Sequence, residues 1–140
     1  MSLATNNDRE EPIDRNRLIA LVRAKAEIPL EDPKITPLQF EILLALILRG
    51  KMYGRELRGE LTRQGQPLSH SAFSHLMGRL TKASYVTKEI DEREKGDFAE
   101  RIYSVTENGL DVWAEMVAYF RQNIADLLAR NKDLSFLEQN

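Results

Sequence analysis

Apolar residues recur along this chain at two different spacings, and the changes of spacing divide it into elements. Leu18, Leu21 and Val22 stand at i, i+3 and i+4, which predicts a short helix over residues 13–26. Pro29 and Pro33 punctuate the connection that follows. The next helix start is well marked. Thr36 can cap free backbone N–H groups, Pro37 suits the first helical position, and Gln39 completes a capping box. Gly50 supplies a left-handed stop after residue 49. Between them Phe40, Ile42, Leu43, Leu44, Leu46, Ile47 and Leu48 leave hardly any polar face, so this helix is expected in the middle of a domain.

A second, shorter helix is predicted over 53–64, with Leu57 and Leu61 one turn apart and Gly65 as its stop. Gln66, Pro67 and Leu68 form the turn, and Ser69 is a good cap for a helix over 69–83. There Phe73, Leu76, Met77 and Leu80 make one narrow inward stripe. The period then drops to two. Val86, Lys88 and Ile90 alternate with Thr87, Glu89 and Asp91, and Arg101, Tyr103 and Val105 alternate with Ile102 and Ser104, which predicts a hairpin with a long tip over 92–100. Thr106 caps a final helix over 107–129.

The expected fold is therefore mainly α with a small β-hairpin, a winged helix-turn-helix domain with N- and C-terminal dimerisation helices. Its parts are a flexible arm (1–12), an N-terminal helix and linker (13–33), the winged domain (34–106), a C-terminal dimerisation helix (107–130) and a tail (131–140).

A chain of 140 residues suffices for one modest core. No run of about 18 apolar residues suggests a membrane span, and the polar start lacks the apolar stretch of a secretory signal. There is no cysteine, hence no disulfide framework or thiolate metal site. A cytoplasmic location is expected. The net charge of −2 argues at first against a nucleic-acid partner, but its distribution softens that. Residues 34–106 carry twelve Lys/Arg against nine Asp/Glu, a balance of +3, and the flanks hold the acidic excess.

The helix over 69–83 is the informative one. Opposite its apolar stripe lie Ser71, His75, Gly78 and Lys82, flanked by Ser74 and Arg79, without one acidic group. An α-helix fits the major groove of double-stranded DNA with its N-terminal residues at the base edges. That assigns His70, Ser71, Ser74 and His75 to bases, and Arg79 and Lys82 to phosphates. Gly78 weakens a helix, and close backbone approach to DNA is one reason for it to be there; a solvated face with a tolerated glycine is the other reading. In the tip, Arg93 and Lys95 are the candidate phosphate contacts, with Arg101 beside them, but the acids around them make a solvated charged tip an equal alternative.

Leu110, Trp113, Val117, Phe120, Ile124 and Leu127 follow steps of three and four, an a/d seam along the final helix. A second copy of the chain is the economical cover for it, joined by Leu18, Leu21 and Val22. A homodimer would also match the reading of two half-sites.

These residues resemble the PadR family of transcriptional regulators over 36–120. Met52-Tyr53-Gly54-Arg55-Glu56-Leu57 looks like the family's "YGYEL". Leu76-Met77-Gly78-Arg79-Leu80 with Tyr85-Val86 looks like "LLKRLEEEGLI". Arg101-Ile102-Tyr103-Ser104-Val105-Thr106-Glu107-Asn108-Gly109 looks like "RKYYxLTxxG". The resemblance implies a homodimer held by terminal helices, operator binding, and often repression relieved by a small-molecule effector or other signal; for a homodimer the operator is expected to be palindromic. The chain departs from the pattern in three places. Ser74 stands where the family usually has a DNA-contacting tyrosine, Ser84 replaces the glycine after the recognition helix, and "SPGTLY" becomes Ser69-His70-Ser71-Ala72-Phe73-Ser74. MarR-type regulators come second, since Thr36-Pro37-Leu38-Gln39-Phe40 is similar to their "LTPLQ".

No enzyme, cofactor or metal centre is expected. His70 and His75 are the only histidines and do not share a helical face, so they make no zinc site. No Gly-x-Ser-x-Gly frames the nearby serines, and no glycine-rich phosphate loop occurs. The competing function is a winged-helix dimer that acts as a protein-interaction module without DNA binding.

Overall fold

The computed structural model describes residues 11–29, 31–91 and 100–130. Its elements are α1 (Arg15–Ala26), α2 (Pro37–Arg49), β1 (Met52–Tyr53), α3 (Gly54–Arg63), α4 (His70–Lys82), β2 (Val86–Ile90), β3 (Arg101–Val105) and α5 (Glu107–Arg130). The expected arm, apart from Glu11 and Pro12, the expected tail, and the wing-tip candidates Arg93 and Lys95 lie outside the described residues.

The helix boundaries follow from identifiable caps. At the head of α2, Thr36 Oγ1 accepts the Gln39 N–H (3.1 Å) and the Gln39 side chain accepts the Thr36 N–H (2.9 Å), the predicted capping box. Ser69 Oγ accepts the Ala72 N–H (3.0 Å) at the head of α4. After α3, Gly65 takes φ 81°, its N–H reaches the Thr62 carbonyl, and the Gln66 N–H reaches Leu61. That is the left-handed closure the glycine suggested.

The same closure ends α4 without a glycine. Ser84 adopts φ 66°, its N–H donates to the Thr81 carbonyl (3.0 Å) and the Tyr85 N–H to Leu80 (3.0 Å). Both bonds of a Schellman motif are thus formed around a serine held in the left-handed region.

The strands form one antiparallel sheet in the order β1-β3-β2, with Met52 opposite Tyr103 and Val86 opposite Val105. The hairpin was expected; β1 was not, because two residues carry no periodicity. The expected helix start at residue 53 therefore moves by one, and Tyr53 caps α3 from the end of a strand.

α2 fills the centre, where Ile42, Leu43, Leu46 and Ile47 are fully buried with Leu57, Leu61, Met77, Leu80, Val105 and Leu110 around them. Leu48 departs from the all-round burial expected of this helix and is exposed. α1 lies along α5, burying Val22 and half-burying Leu18 and Leu21. Ion pairs line the edge of that contact. Arg17 holds Glu107 through one nitrogen at 2.8 and 2.9 Å, and Lys25 lies 3.5 Å from Asp111 and 3.6 Å from Glu115.

The seam on α5 is consequently divided. Leu110 is fully buried, and Trp113 is buried with its ring stacked on Phe40 at 5.6 Å. Val22, Leu110 and Trp113, expected at a contact between copies, find their cover inside the chain, because α1 and α2 pack on the first turns of α5. Val117 is half-buried. Beyond it those neighbours have ended, and Phe120, Ile124 and Leu127 are 43%, 55% and 48% exposed. Among the described residues no helix is long and apolar enough to cross a membrane.

Candidate nucleic-acid interface

α4 is anchored by three side chains, Phe73, Met77 and Leu80, all buried, with Leu76 half-buried beside them. Phe73 sets the rotation of the rod. Its ring meets Tyr103 of β3 edge-on, 6.3 Å between centroids, and faces Gly54 at the start of α3, where a Cβ would come within 3.6 Å of it. Burial of the Tyr103 side chain pushes its phenol pKa up. With one stripe fixed inward, the opposite stripe must face out.

That is where the seven predicted contacts stand. His70, Ser71, Ser74, His75, Gly78, Arg79 and Lys82 are all exposed along thirteen residues of helix. Beyond its own helix, nothing among the described residues lies within 4 Å of where a Gly78 Cβ would be. Among the described residues, neither Arg79 nor Lys82 is in an ion pair. The face thus presents two uncompensated cations and a row of short polar groups. This is the chemistry a polyanion with hydrogen-bonding edges would meet.

α3 and α4 together make the helix-turn-helix, with residues 64–69 between them. Arg58 helps fix that turn by donating from its guanidinium to the Leu68 carbonyl (3.0 Å). The far end of α4 is fixed too. The Thr106 N–H donates to the Tyr85 carbonyl (3.1 Å), the Thr106 hydroxyl donates to the Ser84 carbonyl, and the same hydroxyl oxygen accepts the Gly109 N–H (3.0 Å). One threonine therefore caps α5 and ties it to the residue that ends α4.

A second cluster, which the sequence did not reveal, sits at the root of the wing. The Tyr53 hydroxyl donates to Asp91 (3.0 Å), the Arg55 guanidinium lies 4.5 Å above the Tyr53 ring, and Arg55 reaches Glu100 at 2.8 Å. Lys51 pairs with Glu89 at 3.3 Å. The Glu100 hydrogen bond raises the Arg55 pKa above its ordinary value. These partners come from opposite ends of the winged domain, and no local spacing links them.

No group of acidic, histidine or cysteine side chains suited to a metal ion occurs among the described residues.

A helix-turn-helix with an exposed second helix and a strand pair beside it defines a winged-helix protein. Comparison with solved structures gives the same class. A PadR-family transcriptional regulator from Eggerthella lenta DSM 2243 matches 89% of this chain and 92% of its own at 24% identity and TM-score 0.54. AbsC, a MarR-family transcriptional regulator from Streptomyces coelicolor, matches 89% and 82% at 27% identity and TM-score 0.51. PcaV, a transcriptional regulator from the same organism, solved in complex with its natural ligand, matches 88% and 83% at 21% identity and TM-score 0.52. Neither a family model nor a curated protein sequence matches the chain. Its structural neighbours are PadR- and MarR-family transcriptional regulators, and the winged-helix fold is common to them and to this chain.

Proposed function

We propose that this protein is a sequence-specific DNA-binding transcriptional regulator, a homodimeric repressor that reads a palindromic operator through α4. The observation that carries the reading is the outward face of α4, with seven exposed residues, no acid, and Arg79 and Lys82 without a counter-ion among the described residues. The neighbours' shared role as transcriptional regulators supports it. The homodimer in this reading forms through Phe120, Ile124 and Leu127, the part of the α5 seam its own chain leaves open. A small-molecule effector enters by likeness to PcaV and NadR, which were solved in complex with a natural ligand and with 4-hydroxyphenylacetate.

Binding of duplex DNA at varied salt tests the proposal. Affinity should fall steeply from about 50 to 200 mM salt, because bound phosphates release counterions that binding at higher salt must release against a larger concentration. Lys82→Ala should weaken all duplexes alike, whereas His75→Ala should change the preferred sequence. Absence of duplex binding even at low salt would favour the protein-interaction module instead.

A further inference from the structure

Three features of the wing root bear on a single side chain. Arg55 projects from the first turn of α3, the first helix of the helix-turn-helix, and its side chain is 60% exposed. It is held from below by the Tyr53 ring, itself tied to Asp91, so the guanidinium is placed in advance of any ligand. Glu100, at the root of β3, takes its Nη1 at 2.8 Å. The contrast with α4 is informative: among the described residues Arg79 and Lys82 are in no ion pair, and Arg55 is.

In helix-turn-helix proteins the first helix crosses the DNA backbone while the second enters the groove. Gly54 packs against Phe73 of α4, so Arg55 follows directly on the residue that joins the two helices. A guanidinium offers five N–H donors in a fork, and phosphate is matched by that fork as well as carboxylate is.

We propose that Arg55 is a phosphate contact of the DNA interface, and that Glu100 is its internal competitor, occupying the guanidinium in the free protein and yielding it to the DNA backbone. The inference rests on the DNA-binding reading of α4. It adds a restraint on binding to any sequence. Every duplex meets an arginine already paired, and its phosphate must displace the carboxylate to be held there. An exposed ion pair is worth about 0–1 kcal/mol, so the restraint amounts to no more than about fivefold in affinity.

The test is fluorescence anisotropy of a labelled random-sequence duplex against the wild type, Arg55→Ala, Arg55→Lys, Glu100→Gln and the Arg55→Ala/Glu100→Gln double variant. It is run from about 50 to 200 mM salt, with thermal melts to confirm folding. Arg55→Ala should bind several-fold more weakly, with a salt slope shallower by about 1. Arg55→Lys should keep the slope. Glu100→Gln should bind about two- to fivefold more tightly, and the double variant should lose that gain. Two results overturn the inference while leaving the DNA-binding reading in place. One is a wild-type slope and affinity for Arg55→Ala; the other is an equal gain from Glu100→Gln with or without Arg55, which would mean a general loss of negative charge. A wild type that binds no duplex at low salt removes the reading and this inference together.

Discussion

Gly109 lies so close to Tyr85 that a Cβ added to it would stand 2.1 Å from the Tyr85 carbonyl oxygen. The contact is between backbones, at the point where α5 begins and the connection from α4 ends. Thr106 donates its N–H to that same carbonyl and caps Gly109 with its hydroxyl. Alanine would favour the helix by about 1 kcal/mol, but here it meets a backbone oxygen that is already hydrogen-bonded and cannot swing aside. Gly109→Ala should therefore lower stability by about 2 kcal/mol or more, read as a urea midpoint shift at constant m. An unchanged or raised midpoint would show that the joint has slack.

Gly78 is the opposite case, exposed on α4 with open space around it. Gly78→Ala should stabilise the protein by about 0.5–1 kcal/mol, since only helix propensity is at stake. If DNA approaches the backbone there, the added methyl group should also weaken duplex binding. The two effects separate cleanly by melting and anisotropy. A variant that is more stable and binds as before would return Gly78 to an ordinary solvated face.

Ser84 carries a cost that its surroundings do not require. It holds a left-handed φ of 66° in a complete Schellman closure, and the bonds that fix it all use its backbone. A left-handed conformation costs an L-residue about 1–2 kcal/mol that glycine avoids, part of which glycine loses again in the more flexible unfolded chain. Ser84→Gly should raise stability by about 0.5–1 kcal/mol in a thermal melt with DNA binding unchanged. A loss of stability would mean that the serine hydroxyl contributes more than its strain costs.

Ser84 also shows what could be read from the sequence and what could not. That it stands after α4 where the PadR pattern has glycine was visible in the sequence, but that a serine would keep the left-handed φ was not. Caps at Thr36, Ser69 and Thr106 were legible because one or two residues suffice to make them. The outward face of α4 was legible because Phe73, Met77 and Leu80 fix the rod's rotation, and rotation fixes everything opposite. β1 was not legible, being too short for any period and formed only by pairing with Tyr103 and Ile102. The wing-root cluster was hidden for a related reason. Tyr53 and Asp91, or Arg55 and Glu100, are joined by tertiary folding alone. The steps of three and four along α5 give a stripe, but a stripe does not say which neighbour covers each turn.

That division of the seam makes the oligomeric state testable without unfolding the chain. Phe120 is 43% exposed and packs edge-on against Tyr119, so the fold of one copy does not rest on it. Burying Phe120, Ile124 and Leu127 in a second copy removes the exposed half of three large apolar side chains from water, each worth roughly 0.7–1.5 kcal/mol if fully covered. Light scattering should therefore give a dimer for the wild type. Phe120→Asp should shift it toward monomer with the helical circular dichroism retained, because a charge would have to be buried in the seam. Ile124→Asp, one turn further on, should act the same way. Leu110→Ala should behave differently, costing about 2–5 kcal/mol of stability as a cavity in the chain's own core. A wild-type monomer, or a dimer indifferent to both aspartates, would move the contact between copies away from this half of α5.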